Sequence, residues 1–64
     1  MSDYHDQRYS IELLCDRGGD VEQVLAREDR ADLARGLYEL MQAQYPGRVI
    51  VLRVGETVLD RSDR

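Results

Sequence analysis

Val21-Glu22-Gln23-Val24-Leu25-Ala26-Arg27 is the stretch that decides this fold, because it fits two structures. As a helix, it would be capped by Asp20, with Gln23 at the N3 position of a capping box. Val21, Val24 and Leu25 also lie at helical spacing. As a strand, it would complete a hairpin with the segment before it. Local propensity leaves both open. An internal repeat favours the strand. Glu22-Gln23-Val24-Leu25-Ala26-Arg27-Glu28-Asp29-Arg30 aligns without gaps on Glu56-Thr57-Val58-Leu59-Asp60-Arg61-Ser62-Asp63-Arg64, with six of nine positions identical. The second copy follows Arg48-Val49-Ile50-Val51-Leu52-Arg53-Val54 and then Gly55, a β-branched run and a turn residue. That context is a strand, a turn and a returning strand. By analogy the first copy is a returning strand too.

Working outward, Tyr9-Ser10-Ile11-Glu12-Leu13-Leu14-Cys15-Asp16 alternates with period two. Tyr9, Ile11, Leu13 and Cys15 share one face, and Ser10, Glu12 and Asp16 the other, as in a half-buried strand. Leu14 breaks the alternation and is expected on the wetter face. Arg17-Gly18-Gly19-Asp20 follows, and Gly-Gly offers the positive φ of a tight hairpin turn. Residues 1–7 are polar and read as a frayed N-terminal tail, leaving residues 8–64 as one small domain.

Between the two hairpins lies the clearest helix. Asp29 is the expected N-cap, and Asp32 suits the positive end of the helix dipole. Leu33, Ala34, Leu37, Leu40, Met41 and Tyr45 recur every three or four residues, while Arg35, Glu39 and Gln42 point away. Pro46-Gly47 ends it. Gly36, mid-helix, costs about 1 kcal/mol relative to Ala, and close packing against a strand would be a reason for it. The expected fold is α+β, in the order ββαββ. One amphipathic helix covers one face of a small four-stranded, mostly antiparallel sheet, with the first and third strands central.

The bulk numbers limit function. A chain of 64 residues makes one domain with a marginal core, so either its local signals are all consistent or it gains stability by self-association. Hydrophobic residues at 42% and charged residues at 34% describe a folded, well-solvated domain. No apolar run approaches a membrane span, and Met1-Ser2-Asp3-Tyr4-His5-Asp6 shows no secretory signal, so a cytoplasmic location is expected. The lone Cys15 agrees with that, since it forms no internal disulfide. A net charge of −4 is opposite in sign to that of most nucleic-acid binders. All nine basic residues are Arg, which reads as the codon bias of a GC-rich genome rather than as nine recognition forks.

Each candidate for chemistry has a plainer reading. Cys15 is a possible nucleophile, but the chain's single histidine, His5, lies in the tail, and Cys15 shares a face with Ile11 and Leu13. It is expected to be a small core residue. His5 with Asp3 and Asp6 offers a metal one good ligand and no rigid frame. Gly18-Gly19 lacks the spacing of a phosphate loop, and the chain has no Lys. The pairs Asp16-Arg17, Asp29-Arg30, Asp60-Arg61 and Asp63-Arg64 read as a charge-balanced surface. Arg27, Arg30, Arg61 and Arg64 occupy matching repeat positions and would flank one surface if the hairpins are related by pseudo-symmetry. Tyr4, Tyr9, Tyr38 and Tyr45 are possible base-stacking groups, although Tyr38 and Tyr45 are expected to close the edge of the core. No catalytic, cofactor-binding or metal-binding residue is assigned.

The run Leu14 to Arg27, the segment Ala34-Arg35-Gly36-Leu37-Tyr38, Tyr45-Pro46-Gly47-Arg48 and Val58 to Arg64 together resemble short uncharacterised proteins of GC-rich proteobacteria. The resemblance spans nearly the whole chain and implies a bacterial protein, without bringing an activity or cofactor. In element order alone the chain is similar to small antitoxin-type ββα domains. The expected function is a small protein-interaction module without catalytic activity, joined to an unknown protein partner or to itself. The alternative is a nucleic-acid-binding or antitoxin-like regulatory domain.

Overall fold

The computed structural model describes residues 9–15 and 19–63, so the expected tail at 1–7, with His5, Asp3, Asp6 and Tyr4, lies outside the described residues. The elements are β1 (Tyr9–Leu14), β2 (Val21–Glu28), α1 (Ala31–Gln44), β3 (Ile50–Val54) and β4 (Thr57–Arg61). They form one four-stranded sheet of order β2-β1-β3-β4, antiparallel throughout. The ββαββ, α+β reading holds, residues 21–28 are a strand, and β1 and β3 are central.

The core lies between the sheet and α1. Ile11 and Leu13 of β1 and Ile50 and Leu52 of β3 meet Ala34 and Tyr38 of the helix. Period two places these strand residues on one face, and the pairings Ile11↔Leu52 and Leu13↔Ile50 bring them side by side. Tyr9, Leu25, Ala26, Leu37, Met41 and Tyr45 pack around this centre.

The helix lies rotated from the expected stripe. Ala34 and Tyr38 are its buried residues, whereas Leu33 and Leu40 are each 48% exposed. A helix lying on one face of a sheet buries a narrow stripe, and the bulky Tyr38 takes its centre. Tyr38 therefore sits in the core rather than at its edge. Gly36 does not pack against a strand: a Cβ added there would meet nothing within 4 Å.

Both ends of the helix differ in detail from the sequence reading. The N-cap is Arg30, without a side-chain cap, and not Asp29. Strand β2 runs through Glu28, so only two residues link it to α1. The Glu28 carboxylate accepts the Asp29 and Arg30 amides at 3.1 and 3.4 Å, doing part of what a cap would do. At the C-terminal end the Tyr45 amide donates to the Met41 carbonyl, and Gly47 then adopts φ +82°.

The two hairpins are built differently. In β3–β4, Val54 pairs with Thr57 across Gly55-Glu56, and Gly55 takes φ +59° at the first loop position, as a two-residue hairpin requires. The β1–β2 connection is longer. Gly19 does not take the positive φ expected of it, and Gly18 lies outside the described residues. The Cys15 amide closes this loop on the Asp20 carbonyl at 2.9 Å. Strand β1 stops at Leu14, so Cys15 is half-buried just beyond it and takes no place in the core cluster.

The repeat is structural. Strands β2 and β4 are the two edges, and each carries a bulge at the same repeat position. Ile11 pairs with Ala26 and Glu12 with Val24, which leaves Leu25 extra. Leu52 pairs with Asp60 and Arg53 with Val58, which leaves Leu59 extra. Leu25 and Leu59 are aligned in the repeat. The pairing pattern thus has an approximate two-fold relation centred on the Ile11–Leu52 pair, and it makes Glu12 and Arg53 equivalent positions.

Candidate interaction surface

Alternation sends Ser10, Glu12 and Leu14 of β1 and Val51 and Arg53 of β3 to the sheet face away from the helix. The edge strands add Val21, Val24 and Arg27 on one side and Val58 and Arg61 on the other. At the centre of this face the Glu12 carboxylate accepts the Ser10 hydroxyl at 2.9 Å and the Arg53 Nε–H at 3.0 Å. Glu12 is only 8% exposed. A carboxylate this buried is tolerated because both its oxygens have partners, one of them charged. The two-fold relation explains the pairing: equivalent positions on adjacent central strands carry opposite charges and meet diagonally across the axis.

This face is more apolar than a solvated sheet face. Leu14 and Val51 are 3% and 1% exposed, so Leu14 does not sit on a wet surface as its break in alternation suggested. Leu14 is also anchored through its backbone. Its amide donates to Val49, and its carbonyl accepts Arg48 Nη2 at 2.8 Å. The same nitrogen reaches Glu22 at 2.6 Å, so Arg48 ties the end of β1 to the start of β2. Val21, Val24 and Val58 remain partly exposed on the two sides of this face.

The second surface is the flank of α1. Leu33 and Leu40 project from the protomer, with Gly36 and half-buried Leu37 between them. Arg35 lies on the opposite flank, where it meets Asp60 of β4 at 3.3 Å.

Five of the arginines among the described residues meet acids that are not adjacent to them in sequence. Arg30 pairs with Asp32, Arg35 with Asp60, Arg48 with Glu22, Arg53 with Glu12 and Arg61 with Asp63. Arg61 and Asp63 make two parallel hydrogen bonds of 3.0 Å, and these together with the Asp63 charge raise the Arg61 pKa further. Arg27 and Arg61 share the helix-free face, as the repeat suggested, whereas Arg30 lies at the start of α1 and Arg64 lies outside the described residues. Among the described residues no group of His, Cys, Asp and Glu could hold a metal ion. Among the described residues no helix is long and apolar enough to cross a membrane.

The bulges bear on the sheet edges. An open edge invites strand addition, and a bulge twists the edge away and interrupts the ladder. Both edges are bulged, so neither presents an unbroken ladder. The Glu12–Arg53 contact was not legible in the sequence, since it depends on the β1–β3 register. No protein-family model matches the chain, and neither a curated protein nor a solved structure does.

Proposed function

We propose that this protein is a small interaction module that acts by binding another polypeptide chain rather than by catalysis. The observation that carries this is the row of leucines on α1. Leu33 and Leu40 are half exposed although the same helix buries Ala34 and Tyr38 against a formed core. Single exposed apolar residues are ordinary, but a pair about two turns apart on one helix face, with half-buried Leu37 between them, offers a continuous surface. Val21, Val24 and Val58 extend the apolar surface on the other side of the sheet.

A photo-crosslinking residue placed in living cells at Leu40, at Val24 and, as a control, at exposed Glu56 tests this. Specific protein adducts at Leu40 or Val24, exceeding those at Glu56, are expected. Adducts no more abundant than those at Glu56 would refute the reading. Nucleic-acid binding is the second reading, favoured by Arg27 and Arg61 sharing a face. Against it stand the net charge of −4 and the acids that engage Arg53 and Arg61. Salt-sensitive retention of the protein on DNA or RNA would revive it.

A further inference from the structure

The geometry points to a second copy of this chain as an occupant of the α1 flank, docked antiparallel about Gly36 and Leu37. This rests on the interaction reading above and names its partner.

Leu33, Leu37, Leu40 and Gln44 follow one another at spacings of four, three and four, which is the spacing of a helix–helix seam. On its solvent side this seam is flanked by exposed Gly36 and Ala43, neither of them charged, while Ala34 and Met41 on its other side belong to the core. Gly36 supplies the second observation. It weakens the helix, and nothing in the protomer requires it, since a Cβ there would touch nothing. A glycine between exposed leucines lets another helix approach closely.

Charge fits the antiparallel arrangement. Setting Leu33 against the second copy's Leu40 places Gly36 beside the second copy's Leu37. Arg30 then lies beside the last turn of the second helix. That turn carries the negative end of the helix dipole and has no basic residue of its own. The Arg30 side chain is 69% exposed and pairs with Asp32, so it can serve both groups. A helix of 14 residues is about 21 Å long, so the seam buries less than the about 800 Å² per partner of a standard interface. An interface this small makes the dimer a reversible one.

Sedimentation equilibrium between about 1 and 500 µM, spanning the micromolar range, tests the proposal. The expected result is a reversible monomer–dimer equilibrium. Leu40→Glu should abolish it while leaving the far-ultraviolet circular dichroism unchanged, because Leu40 is outside the core. Gly36→Ala should raise the unfolding temperature of the protomer yet weaken the dimer by about tenfold or more, as a methyl group forced into a close seam does. In a Cys15→Ser background, Leu33→Cys and Leu40→Cys proteins should form mixed disulfide dimers on oxidation far faster than either forms its own. A monomer at every concentration, a dimer indifferent to Leu40→Glu, or disulfides only between identical positions would overturn the seam. If crosslinks from Leu40 to a different protein persist when the chain is monomeric, the interaction reading stands and only the second copy is wrong.

Discussion

Replacing Glu12 by Ala should be among the more damaging single changes outside the apolar core. The carboxylate accepts two hydrogen bonds, from the Ser10 hydroxyl and from Arg53 Nε–H. Hydrogen bonds involving a charged group contribute about 1.5–3 kcal/mol, and a buried polar group left without a partner costs about 1–3 kcal/mol. Arg53 is 28% exposed at its side chain, so water can replace Glu12 for it. Ser10 is 7% exposed and is less easily rescued. The expected loss is therefore about 2–4 kcal/mol. A chain of this length has a total stability of about 3–10 kcal/mol. Urea unfolding followed by circular dichroism measures the change. With a slope of about 1 kcal/mol per molar, the midpoint should fall by about 2 M or more. Glu12→Gln, which keeps the shape and one acceptor, should lose less. In a double-mutant cycle Glu12→Ala and Arg53→Ala should couple by about 1 kcal/mol or more. A Glu12→Ala loss below about 0.5 kcal/mol would show that the contact is no stronger than an ordinary surface pair, and the reasoning would fail.

Other expectations follow from particular contacts. Leu52→Ala removes a side chain that is 1% exposed at the centre of the sheet and should cost about 2–5 kcal/mol in denaturant melts, enough to unfold much of the population. Gly47→Ala forces a Cβ into φ +82° and should cost about 1–2 kcal/mol, read as a lower melting temperature. Deleting Leu59 joins Val58 to Asp60 and restores an unbroken β3–β4 ladder without turning any side chain to the other face. The variant should fold but associate through its flattened edge, visible as growth of large species in light scattering, while deletion of buried Ile50 should unfold the chain outright.

The element order was legible because each segment announces itself locally. Alternation in Tyr9–Leu14, the β-branched run before Gly55 and the Pro46-Gly47 stop are effects of neighbouring residues. The repeat went further and resolved Val21–Arg27 as a strand where propensity could not. It also marked the surface shared by Arg27 and Arg61, the part of the candidate site that could be read in advance. Other features depend on distant contacts. Helical spacing grouped Leu33 and Leu40 with Ala34 and Met41. Which of them faces the sheet is set by how α1 rolls to seat Tyr38, and that roll exposes the leucines of the proposed seam. The Glu12–Arg53 pair, the paired bulges at Leu25 and Leu59, and the burial of Leu14 and Val51 follow from strand register. Register comes from many weak cross-strand contacts summed over the sheet, and no single stretch of this chain encodes it.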